Sequence, residues 1–255
     1  MYKLTRYILY EILRNKIIMA YMVLLFLISM GLFQLDSNND KALMGLLSVV
    51  LIVVPVISLI FTTIHYYNSY EFMELLLSQP QSRSKILFSE YLGTSLSLLI
   101  AYVAGVGLPI LIYSRESTGL YLLSSGAGLS LIFCALAFLV AVNFRDKAKG
   151  IGVSLLLWFY FAIIYDGLLL LVLFSLSDYP VEKLTFVFSG LNPIDLVRIM
   201  VMLKMDIGAL MGYTGALYKN FLGKETGLLF TGIMNIAWVI VPLFFANKIF
   251  TKKDL

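Results

Sequence analysis

Asp166 is the residue that most needs an explanation, because it stands in an otherwise apolar run, WFYFAIIYDGLLLLVLF. An ionisable side chain there is costly and by default functional. Two roles are open to it: lining a pathway, or acting as a structural lock that accepts hydrogen bonds from tyrosines or an asparagine on a neighbouring helix. Downstream, Asn192, Asp195 and Arg198 share the segment LNPIDLVRI, in which Pro193 suits the first turn of a helix. Met200, Met202, Met205 and Met211 follow closely. Thioethers are soft ligands suited to Cu(I), and equally they are apolar filler. Nearer the N-terminus, Tyr70, Glu71, Phe72, Glu74 and Leu75 set charge and apolar surface at helical spacing, ahead of the breaker Ser78-Gln79-Pro80 and of Arg83. The single histidine, His65, reads as an incidental interfacial imidazole, and the single cysteine, Cys134, as a buried, inert thiol.

Longer catalytic motifs are missing. A nucleotide-binding loop needs G-x-x-x-x-G-K-[ST], but Gly223-Lys224 is followed by Glu225 and has Tyr218 where the upstream glycine belongs. One histidine cannot supply H-E-x-x-H, and Gly152-Val153-Ser154 continues into Leu155, not into the glycine of a serine-protease signature. The chain is therefore expected to catalyse nothing by itself and to bind no cofactor of its own.

The elements that must position these residues are membrane helices. Of the 255 residues 60% are hydrophobic and 13% charged, against about 45–50% and about 25% in soluble domains. The net charge of +4 is dispersed around hydrophobic segments, which argues for membrane topology and against nucleic acid. Six stretches, roughly 17–35, 43–62, 92–113, 120–142, 151–177 and 227–247, approach the about 20 apolar residues that cross a bilayer. No cleavable signal is evident ahead of the first. Twelve of the 19 Lys and Arg residues fall on the side that holds both termini, so both termini are expected in the cytoplasm.

Three segments carry more than a turn. Residues 1–16 read as an amphipathic interfacial helix with Leu4, Tyr7, Ile8 and Ile12 near one face, or as an extension of the first span. Residues 63–91 read as a cytoplasmic coupling region whose short helix docks a partner or packs on its own bundle. Residues 178–226 read as one or two short outer helices, with a small-residue contact from Gly208 to Gly212. The expected architecture is a single all-α polytopic domain over 1–255.

This arrangement resembles the permease subunit of ABC-2-type exporters. Tyr70-Glu71, followed by LLLSQPQSRSKILFSEYLG, is similar to a pattern of the NosY-like permeases in that class, with Arg83 at the arginine and Glu90 where a basic residue is usual. Leu191-Asn192-Pro193-Ile194-Asp195 with Arg198 is similar to a second segment, and Asp166 follows an aromatic as the fifth-span aspartate does there. The resemblance implies a homodimer in the bacterial inner membrane, with cytoplasmic ATPase subunits that bind ATP and Mg. It further implies a periplasmic accessory protein and service in copper-site maturation of nitrous oxide reductase. Tyr70, Glu71, Phe72, Glu74, Leu75 and Arg83 would couple to the ATPase, while Asn192, Asp195, Arg198 and the methionines would face an outer partner or copper. Export of lipid, polysaccharide or drug fits the same architecture, and a silent membrane scaffold fits the docking helix.

Overall fold

Several helices in this chain open where a side chain takes over the first orphan amides. Asn15 separates α1 (Tyr2–Leu13) from α2 (Lys16–Leu35), its carboxamide oxygen accepting from the Ile17 amide at 2.9 Å. Asn38 opens α3 (Asn39–Asn68) by accepting from the Asp40 amide, and Asp146 opens α8 (Lys147–Phe159) by accepting from Ala148 and Lys149. The other elements are α4 (Tyr70–Leu77), α5 (Arg83–Tyr102), α6 (Leu108–Tyr113), α7 (Ser117–Asn143), α9 (Tyr165–Ser175), α10 (Pro193–Lys204) and α11 (Gly212–Lys252). Wide π-helical turns at Val103–Gly107 and Tyr160–Ile164 join α5 to α6 and α8 to α9. The computed structural model describes residues 2–35, 38–114, 117–175, 188–204 and 212–252, and side chains at all of these except 173, 203–204 and 212–228.

All described elements are helical, and among the described residues six segments are long and apolar enough to span a membrane: Lys16–Leu35, Asn39–Asn68, Arg83–Tyr113, Ser117–Asn143, Lys147–Val172 and Leu229–Lys252. The fourth is the hub. Its apolar window is 78% buried, against 11% for the fifth, so α7 forms the core and α8–α9 the periphery. Small residues on α7, among them Gly126, Ser130, Cys134, Ala137 and Ala141, let neighbouring helices approach closely. At Gly126 the approach is closest, for a Cβ there would lie 2.1 Å from the hydroxyl of Tyr102. That hydroxyl donates to the Leu122 carbonyl at 3.1 Å, and Tyr102 is fully buried. Gly126→Ala must displace a wedged ring, so a loss of about 1–3 kcal/mol is expected in thermal unfolding of the detergent-solubilised chain.

Alternate connections gather at the same end of the bundle. Lys147 Nζ donates to Asn68 Oδ1 at 2.7 Å, Tyr67 donates to the Phe144 carbonyl at 3.0 Å, and Arg83 reaches the Thr251 carbonyl at 3.5 Å. The basic connectors and the last helix therefore meet beside α4. At the opposite end Asn39 donates to the Tyr113 carbonyl, and Phe33 stacks on Tyr113 at 5.4 Å.

Segment boundaries shift from those the hydropathy suggests. Residues 63–68 complete α3 and 83–91 open α5, which leaves only α4 as a separate helix in the 63–91 stretch. Thr62, Thr63, His65 and Glu90 lower the local hydropathy, yet all four are buried against the bundle. Within 178–226, residues 178–187 and 205–211, with Met205, Gly208 and Met211, lie outside the described residues. Residues 212–226 form no separate short helix but run into the last span as one 41-residue helix. At about 1.5 Å per residue it measures about 60 Å, twice the hydrocarbon thickness.

Helix α1 is distinct from the first span and packs on α5. Ile8 and Ile12 are buried and Leu4 half-buried, with Ile8 directly over Gly93, while Tyr7 turns outward to 58% exposure. The sequence pattern placed Tyr7 on the apolar face; its ring lies instead 6.0 Å from that of Phe72 on α4.

Candidate functional site

Two places collect the residues singled out by their chemistry. The first is an ionic cluster between α9 and α10. The π turn before α9 sets it up: Tyr165 N–H bonds back to the Tyr160 carbonyl, which releases the Phe161 carbonyl from the regular α pattern. Asn192 Nδ2 donates to that Phe161 carbonyl at 3.0 Å and to Asp195 Oδ2 at 3.1 Å, while Asn192 Oδ1 caps α10 through the Ile194 amide. Asn192 thus fixes one turn of α10 to one turn of the fifth span.

Arg198 completes the cluster. A single guanidinium nitrogen donates to Asp195 Oδ1 at 2.8 Å and to Asp166 Oδ2 at 3.1 Å. Asp166 from one segment and Asn192, Asp195 and Arg198 from another therefore form one site. Burial pushes the Asp195 carboxyl up to about 7; Arg198 opposes that shift, and the neighbouring charge of Asp166 adds to it. Tyr165 donates to the Phe188 carbonyl and Trp238 Nε1 to the Gly190 carbonyl, which staple the approach to α10 on both sides.

Asp166 sits past the middle of the fifth span, Lys147–Val172. It lies nineteen residues beyond Lys147, about 28 Å along the helix, and so stands toward the end opposite the basic connectors. Beside the cluster an apolar groove of about 200 Å³ is lined by Leu191, Met234, Trp238, Val241 and Pro242. Pro242 has no N–H for the Trp238 carbonyl four residues back, so the groove sits where α11 lacks a backbone hydrogen bond.

Met200 and Met202 are half-buried on α10, and a spacing of two residues points them to opposite sides of a helix, so this pair does not converge on one ion. Among the described residues no group of three His, Cys, Asp or Glu side chains converges on a metal.

The second place is the surface of α4. Met73 is buried and Tyr70, Leu76 and Leu77 are half-buried, so one face of α4 belongs to the bundle. Glu71, Phe72, Glu74 and Leu75 are exposed, Leu75 to 66%. Of the six residues expected to couple, these four form an outward acidic and apolar face. Tyr70 and Arg83 are half-buried, and Arg83 donates to the Thr251 carbonyl near the end of α11.

Sequence reasoning missed His65. It is buried, not incidental, and its Nε2 lies 3.3 Å from Oε2 of Glu90, which is 1% exposed. The signal was present in Glu90: once 83–91 is counted with the third span, a carboxyl seven residues into that helix demands a partner. Cys134 is fully buried beside Thr62, and Thr63 pairs with Ser154 at 2.8 Å.

A multi-pass membrane protein with a short exposed helix between its second and third spans is the class that this geometry defines. A family model described as ABC-2 family transporter protein matches residues 71–255, and the chain belongs to that family. It is 28% identical over 218 residues to the probable ABC transporter permease protein NosY of Pseudomonas aeruginosa, covering 77% of this chain and 79% of that protein. It is 25% identical over 276 aligned positions to the protein of the same name from Stutzerimonas stutzeri, covering 94% of each.

Proposed function

We propose that this chain is the transmembrane subunit of an ABC transporter in the bacterial inner membrane, working as a homodimer with both termini in the cytoplasm. A separate cytoplasmic ATPase binds ATP and Mg and pushes on α4. The observation that carries this reading is the face of α4: Glu71, Phe72, Glu74 and Leu75 project from a helix whose other side is anchored by Met73. Nucleotide contacts made in only one state of the ATPase bias two arrangements of the spans. Glu71→Lys reverses a charge at the centre of that face and is expected to abolish co-purification of the ATPase while membrane insertion stays intact. Unchanged co-purification would sink the coupling role and return α4 to a scaffold.

The likeness to the two NosY proteins supports a finer reading, in which the complex serves copper-site maturation of nitrous oxide reductase together with a periplasmic accessory protein. In that reading the cluster of Asp166, Asn192, Asp195 and Arg198 receives the movement at the periplasmic end, and copper is cargo of the assembly. Asp166→Asn is expected to leave the complex assembled and to lower the copper content of the reductase in cells; loss of assembly would make the cluster a structural lock. The apolar groove at Trp238 favours a second reading, export of a lipid or another amphiphile, for which the same variant leaves reductase copper unchanged.

A further inference from the structure

His65 and Glu90 meet where α3, α4 and α5 join. Ser69 is both the last cap of α3 and the first of α4: its amide donates to the His65 carbonyl and its carbonyl accepts from the Met73 amide, each at 2.9 Å. The Ser69 hydroxyl lies 3.4 Å from His65 Nε2, the same nitrogen that faces Glu90 Oε2 at 3.3 Å. Phe61 covers the imidazole with a parallel ring at 6.1 Å.

Among the described residues His65 is the basic side chain within ion-pair distance of Glu90. Its contact with His65 lies within ion-pair distance but outside hydrogen-bond alignment, and neither carboxyl oxygen has a hydrogen-bond partner among the described residues. A carboxyl buried this deeply is tolerated only beside a group that compensates it. The position of the imidazole is therefore dictated by Glu90, and the hinge of α4 by the imidazole. From the other side of Glu90, Tyr91 carries the connection to the hub by donating to the Leu131 carbonyl at 3.2 Å.

We propose that His65 and Glu90 are positioning residues that hold the hinge of α4 against the third span, so that a push on α4 is delivered to α5. The significance of this joint rests on the coupling role assigned to α4, but the joint is testable in the isolated chain.

The test is hydrogen–deuterium exchange of the full chain in lipid nanodiscs, read on peptides covering 69–77 and, as an internal control, 117–143. Glu90→Gln and His65→Gln are each expected to speed exchange in 69–77 about tenfold, the scale set by losing one polar contact at a local opening. The control segment is expected to stay within about twofold of the unmodified chain. The double variant should exchange like either single one, because both remove the same contact. Additive effects would make each residue merely structural and overturn the proposal, as would unchanged exchange in 69–77 or equal acceleration in the control. If Glu90→Gln fails to accumulate, His65→Gln at the rim of the bundle decides by the same comparison. No nucleotide enters the measurement, so failure of the ATPase to co-purify would overturn the coupling role and leave the exchange result standing.

Discussion

Arg198→Met is expected to cost about 2–3 kcal/mol, the scale of losing hydrogen bonds to charged groups while stranding their partners. One nitrogen of Arg198 holds both Asp166 and Asp195, so a side chain of similar length without charge removes two bonds at once and leaves two carboxyls facing each other. Arg198 and Asp166 are each about one third exposed, so water softens the repulsion and keeps the loss below that of a fully buried pair broken open. Asp166→Asn keeps an oxygen acceptor toward Arg198 and removes one of the two competing charges, so its cost should be less than half as large. Thermal unfolding in detergent, followed by the fluorescence of the tryptophans, measures both. Equal losses for the two variants would show that the guanidinium is not the centre of the cluster.

The second large effect is a pH dependence of unusual sign. An aspartate in an ordinary salt bridge has a lowered pKa and stabilises the fold as pH rises. Burial pushes Asp195 the other way, to about 7 from an ordinary value of 3.8. Below about pH 4 the group is protonated in both folded and unfolded chains, and its contribution to stability is constant. Between about 4 and 7 the folded chain keeps a proton that the unfolded chain has released, so the Asp195 contribution to stability declines as pH rises through this window. Asp195→Asn carries no titrating group and should flatten that slope while retaining an acceptor for Arg198. The difference between the unmodified chain and the variant isolates Asp195 from every other carboxyl. A difference that grows with pH in favour of the unmodified chain would mean that Arg198 outweighs burial.

The six spans and the short helix at 70–77 were legible in the sequence because both follow from local composition. A run of about 20 apolar residues must be helical in a bilayer, where backbone groups find no water, and Pro80 ends α4 whatever surrounds it. The acidic and apolar face of Glu71, Phe72, Glu74 and Leu75 was equally local, since helical spacing alone places them together. Chemical type and a cost of burial marked Asp166 as a site residue before its neighbours were known.

Tertiary structure decided whom these residues meet. Nothing in the spacing of Asp166 and Arg198, thirty-two residues apart, joins them; the π turn at Tyr160–Ile164 does, by freeing the carbonyl that Asn192 takes. That His65 is the partner Glu90 demands was unreadable for the same reason. Each belongs to a polar stretch that lowers hydropathy, and only packing of α3 on α5 shows that the two helices continue through those stretches and bury the pair. Local sequence sets which backbone forms without water, but the compensation of a buried charge is a contact between helices, and it exists only once they have packed.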